Sequence, residues 1–371
     1  AIALALAIAA VAATVAVRRS SRRPGPVDRS AAVARARRLL AANRPELALR
    51  AVTGIDDGDK GAAEAATIAG FAAVRLGRLD EARVALERAL RLDPAQPLSA
   101  SVLAAICLDA NEADVGLHWL RVAAAHDPKD PRPWLGMGKV QADLGHDADA
   151  EAAFAEALRR APDDPEARAG RARALLGLGR ADEAGEVLAD GLRDDAGDSV
   201  LLGLAARQAL DSGGLDRASE LADRALDADP DNLDALRTRA RTRLALGRDA
   251  DALDDAEHAA RVAPTDLAAL QLRAQVEARL GLADRSARTI ARHDAIHRAR
   301  LVVATLTEQV ARHPDDPDLR HRLGQAADAA GFPLLALKSY RFALKLRPDH
   351  PLARAALADL EARREATSAP P

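Results

Sequence analysis

Prolines recur in this chain at a fixed interval. Pro94, Pro128 and Pro162 stand 34 residues apart, and Pro230 and Pro264 resume that spacing after Ala196 occupies one member's place. Gly77, Gly145, Gly179, Gly213, Gly247 and Gly281 keep the same period, with Asn111 replacing one glycine and Asn43 ahead of the series. Within each period, apolar residues fall at i, i+3, i+4 and i+7 on two segments of about twelve residues, the pattern of two amphipathic helices. The glycine sits between them, where a left-handed turn is needed, and the proline stops the second helix. No unit of this size buries its own apolar face, so neighbours must stack. Composition agrees: aromatic residues make up 2% of the chain and alanine dominates the apolar set, which favours helices over strands.

The clearest copy is 131–164, PRPWLGMGKVQADLGHDADAEAAFAEALRRAPDD. Trp134, Met137, Gly138, Gly145, Ala150, Phe154, Ala157 and Pro162 there, and Leu323, Gly324, Gly331, Ala336, Tyr340, Ala343 and Pro348 in 317–350, resemble the tetratricopeptide repeat. Weaker copies occupy 29–62, 63–96, 97–130, 165–198, 199–232 and 233–266. The resemblance implies an all-α fold, a right-handed superhelical solenoid of helix pairs. Trp134 is expected to be largely buried between repeats. Register breaks once, because Pro314 follows Pro264 by 50 residues, which is 34 plus 16. An irregular repeat, 267–316, therefore carries extra helical residues within 283–313, as one long second helix or as a helix with an added partner. The tail 351–366 reads as a capping helix, with Leu352, Leu357 and Leu360 covering the last repeat.

Residues 1–17 (AIALALAIAAVAATVAV) carry no charge, and Arg18, Arg19, Arg22 and Arg23 follow within the basic, proline-containing linker 18–28. As a hydrophobic helix the run would be about 25 Å long, near the thickness of a bilayer core. The expectation is a transmembrane anchor, as in the membrane-anchored bacterial members of the resembled family; a secretory signal cleaved near Ala10-Val11-Ala12 is the alternative. The arginines favour a cytoplasmic solenoid. The alternative topology would make the chain a periplasmic assembly factor.

Several chemistries are excluded or weak. With 53 basic and 56 acidic residues the net charge is −3, and one tyrosine and four phenylalanines leave no stacking platform, so nucleic acid is not expected. Cys107 is the sole cysteine and reads as a small buried hydrophobe. His293 and His297, with Asp294 between them, have the i, i+4 spacing of a zinc motif. The motif's glutamate is missing, and Arg288, Arg292, Arg298 and Arg300 would repel a cation. A metal-dependent enzyme built on that segment is the weakest reading. No catalytic residue, metal or cofactor is expected.

The functional clue lies at the ninth place of each repeat, on its first helix. In the resembled family this face lines a concave groove that contacts extended peptides. Down the period it reads Arg37, Phe71, Ala105, Lys139, Arg173, Arg207, Arg241, Gln275 and, after the insertion, Gln325. Lys139, Arg173, Arg207 and Arg241 form a basic run of four repeats, and Arg237 lies one turn before Arg241. Acidic residues gather on second helices, at Asp216, Glu220, Asp223, Asp249, Asp251, Asp254 and Asp255. The expected function is a non-catalytic, membrane-tethered scaffold. Its partner is a protein segment that is acidic or ends in a free carboxylate, which guanidinium groups suit.

Overall fold

The computed structural model describes residues 29–110 and 112–368, with side chains to Arg363. Every regular element among them is an α-helix. The chain divides into two compact units between Lys129 and Asp130. In the first lie the pairs α1 (Ser30–Ala41) with α2 (Pro45–Val52), α3 (Ala62–Arg75) with α4 (Leu79–Leu92), and α5 (Pro97–Asp109) with α6 (Ala113–His126). The second unit begins with α7 (Arg132–Asp143) and α8 (Asp147–Arg160), followed by α9 (Pro165–Gly177) and α10 (Ala181–Asp194). The pairs α11 (Ser199–Asp211) with α12 (Leu215–Ala228) and α13 (Leu233–Ala245) with α14 (Asp249–Val262) come next. Then come α15 (Leu267–Arg279) with α16 (Ala283–Arg312), α17 (Pro317–Ala329) with α18 (Pro333–Leu346), and α19 (Pro351–Ser368).

Local chemistry sets these boundaries. The last residue of a period caps the next first helix: Asp164, Asp198, Asn232, Asp266 and Asp316 each accept a backbone N–H from the first turn. Between paired helices Gly145 adopts φ 75°, and Asn43 takes the same role at φ 55°. Asparagine is one of the few non-glycine residues that tolerate this region. Close approach depends on glycine as well. A Cβ added at Gly138 would lie 2.7 Å from the Phe154 ring, and one at Gly170 2.5 Å from its far edge. Phe154 thus occupies the space that two glycines leave between α7, α8 and α9.

In the second unit each helix packs on the next along the chain, and successive first helices also touch, α9 with α11 and α11 with α13. A large core cluster joins leucines and alanines of α9 to α15, among them Leu175, Leu188, Leu201, Leu204 and Leu236. Short alanines bring helix axes close, and leucines fill what remains.

The register break is one long helix. α16 has 30 residues where α8, α10, α12 and α14 have 14, so all sixteen inserted residues extend it. Its first part packs on α15 and its later part on α17. α19 lies on α18 and α17, with Leu360 buried and Leu357 half-buried. Leu352 does not join them: it is 63% exposed, because the packed face of α19 runs through Ala353, Leu357 and Leu360 and Leu352 lies off it. Trp134 is only partly buried, packing beside Phe154 and Ala157 while the Arg160 guanidinium covers its ring at 4.8 Å. The hydrophobic segment 1–17 and the linker 18–28 lie outside the described residues. Among the described residues no helix is long and apolar enough to cross a membrane.

Candidate functional site

The ninth-place bases of the second unit stand on four successive first helices: Lys139 on α7, Arg173 on α9, Arg207 on α11, and Arg241 on α13 with Arg237 one turn earlier. α13 reads LDALRTRARTRLA, with arginine at every second place from Arg237 to Arg243. Helical geometry sorts the four into two i, i+4 pairs on different faces. Arg239 and Arg243 turn toward α12 and α14. There Arg239 grips the buried Asp255 through Nε and Nη2 at 3.0 and 2.8 Å, and Arg243 adds a third contact at 2.7 Å. Asp223 accepts from Arg239 at 2.7 Å. Asp223 and Asp255 of the second helices therefore serve those two arginines, and Arg237 and Arg241 are left for the other face.

On that face the bases meet acids of the first helices. Lys139 Nζ lies 2.6 Å from Glu166 Oε1. Arg173 Nη2 lies 3.4 Å from Asp234 Oδ2, joining α9 to α13 over the intervening α11. Arg237 donates to the same carboxylate at 2.7 Å and to Asp266 at 3.1 Å. Arg207 has only a longer contact, 3.6 Å, to Asp211 on its own helix. Arg241 has no ion-pair partner among the described residues, although its side chain is exposed. Partial burial disfavours its charged form, and the positive charges of Arg237 and Arg207 add to this, so its pKa falls below the ordinary arginine value; Asp211 and Asp234 oppose the shift.

A spacing rule explains the pattern. The ninth-place base of one repeat faces the second place of the next, 27 residues on. Arg37 pairs with Glu64, and Lys139 with Glu166, by this rule. Arg173 would need an acid at 200, finds Val200, and reaches one repeat further to Asp234. Arg207 would use Asp234, which Arg173 and Arg237 already share. Arg241 would need an acid at 268, where the chain has Ala268. The sequence signal that marks the acids Glu166 and Asp234 is the 27-residue offset from a ninth-place base, not the clustering of charge.

Beside Lys139 and Arg173 the first helices leave a hollow of about 560 Å³ between α7, α8, α9 and α11, with Phe154 in its wall. Asp143, Asp147, Glu166 and Asp198 also line it, so acids outnumber bases around the hollow.

Outside this face, Cys107 is fully buried, and burial pushes its thiol above the usual range. The His293 and His297 rings stack at 6.3 Å. Among the described residues no group of three His, Cys, Asp or Glu side chains is placed to hold a metal ion.

Two family models, both describing tetratricopeptide repeats, match the chain, one over residues 148–207 and the other over 69–131 and 204–266. No curated protein matches it. Among solved structures it is similar to a tetratricopeptide repeat protein from Parabacteroides merdae. That match has 16% identity, covers 67% of this chain and 98% of the other, and has a TM-score of 0.47. It is similar to Pseudomonas aeruginosa pilF at 18% identity, over 58% of this chain and 97% of that one, with a TM-score of 0.46. A third is YrrB, described as a TPR protein with an unusual peptide-binding site, at 19% identity over 50% and 96%, with a TM-score of 0.40.

Proposed function

We propose that this chain, which carries tetratricopeptide repeats, is a non-catalytic scaffold. Its second unit holds an extended protein segment along the first helices, with an acidic group of that segment at Arg241. One observation carries the reading: Arg241 is the ninth-place base that has no carboxylate to pair with, flanked by Arg207 and Arg237. A partner carboxylate, from an acidic side chain or a chain terminus, supplies the missing charge and can accept two parallel N–H bonds. Lys139 and Arg173 are already matched by Glu166 and Asp234, so they position the segment and contribute less to its charge recognition.

The uncharged run 1–17 and the arginines after it support a membrane tether, with the repeats on the cytoplasmic side. Confinement to the bilayer raises the partner's effective concentration and so assists assembly. A reporter fused after Pro371 tests the sidedness, and activity specific to the periplasm would replace the cytoplasmic reading with the assembly-factor alternative.

The binding test uses a fluorescent acidic peptide with a free C-terminus. Arg207→Glu with Arg241→Glu should weaken it by about tenfold or more at low salt, and added salt should weaken the wild type. Equal affinity for both proteins would remove the groove assignment.

A further inference from the structure

The inserted length of α16 presents a stripe that none of the described residues covers. Its buried stripe is Ile296, Val303, Leu306 and Val310. On a different face Ala287, Ile290, Asp294, His297, Leu301 and Ala304 are all exposed, Ile290 at 48% and Leu301 at 58%. These six positions advance by three and four residues alternately, the spacing of the seam at which two helices pack.

We infer that this stripe is a self-association surface, and that its occupant is α16 of a second copy of this chain running antiparallel. The argument is the order of residues along the stripe. Turned end for end about its midpoint, it sets Ala287 against Ala304, Ile290 against Leu301 and Asp294 against His297, and the same three layers then repeat in reverse. Small meets small, branched aliphatic meets branched aliphatic, and carboxylate meets imidazole. A parallel pairing would set Asp294 against Asp294 and His297 against His297, like against like. His293 Nδ1 donates to Asp294 Oδ1 at 3.0 Å, which leaves the other oxygen for the second copy. The polar centre disfavours a lipid surface, since a carboxylate there would lose its water without a partner. Six layers span about 26 Å of helix, enough for a modest interface with a defined direction.

The test is a mixed cross-linking experiment on the full chain in detergent, with Cys107 replaced by alanine. One population carries Ile290→Cys and the other Leu301→Cys, and copper phenanthroline oxidises vicinal thiols to a disulfide. The mixture should give a covalent dimer that neither population gives alone. Adding Asp294→His to both should reduce its yield several-fold, and adding His297→Asp as well should restore it, because the pair is then exchanged. Circular dichroism of each variant verifies that the helices persist. Cross-linking of Leu301→Cys with itself, no dimer from the mixture, or a cross-link to another protein when the oxidation is done in native membranes would each overturn the proposal.

Discussion

Arg173 Nη2 stands 3.4 Å from Asp234 Oδ2, across 61 residues of chain and over one whole repeat. The offset is 27 plus 34. The arginine skips the repeat in which Val200 holds the acid's place and uses the acid of the following one. Asp234 is then shared with Arg237, so one carboxylate serves two guanidiniums and leaves none for Arg207, while Ala268 leaves Arg241 with none of its own.

Introducing an acid at the vacant place should weaken recognition without touching an arginine. Ala268→Glu puts a carboxylate 27 residues after Arg241, on the first turn of α15, where a negative charge favours the helix by about 0.3–1 kcal/mol. The melting temperature should hold or rise while acidic-peptide affinity falls several-fold. Asp234→Ala should act oppositely, freeing Arg173, leaving Arg237 with Asp266 alone and strengthening binding at low salt. Anisotropy titrations at two salt concentrations measure both.

Trp134→Ala should cost about 2–3 kcal/mol, less than the 3–5 kcal/mol of a fully buried tryptophan, because the ring is partly exposed and lies under Arg160. Hydrogen exchange should show the loss in α7, α8 and α9 before α15 and α17, as nearest-neighbour stacking requires. Uniform loss of protection throughout the second unit would contradict that order.

Deleting residues 351–371 removes Leu360 and Leu357 from the cluster that holds Leu323, Leu337 and Tyr340. Burial of two leucines stabilises by about 3–5 kcal/mol before the entropy of ordering the helix is subtracted. The shortened chain should aggregate on mild heating, which light scattering detects. Leu352→Ser should leave stability unchanged, since that side chain is in water.

His321 gives the last repeat a pH dependence. It is 5% exposed, neither ring nitrogen has a hydrogen-bond partner, and His350 and Tyr340 lie 5.0 and 5.7 Å away, ring to ring. Burial, then the charge on His350, lower its pKa; Asp318, which also contacts His350 and Arg347, opposes them. Above the unfolded value of about 6.5 the ring is neutral in both states and has no effect. Below it the unfolded chain takes a proton that the folded one refuses, so stability falls until the pH passes the lowered folded value. Melting curves between pH 7 and 5 should slope downward for the wild type and be flatter for His321→Leu. Parallel slopes would clear His321 of the effect.

The repeat was legible because its signals are local and recur in register. A turn needs Gly145, a helix start needs Asp198 or Asn232, and the apolar spacing of two helices is written in each period. The basic run at Lys139, Arg173, Arg207 and Arg241 was legible for the same reason. What each base meets was not, because a charged side chain is answered by whatever stacking brings opposite it, from the next repeat or the one beyond. Stacking also separates Arg237 and Arg241 from Arg239 and Arg243 by assigning neighbours to opposite faces of α13. It leaves Leu352 in water while Leu360, two turns later, is covered. Periodicity in the sequence by itself determined which residues form helices and which face of each is apolar; only the tertiary packing decided which charges are cancelled and that Arg241 is not, because that depends on distances between segments that the chain order does not set.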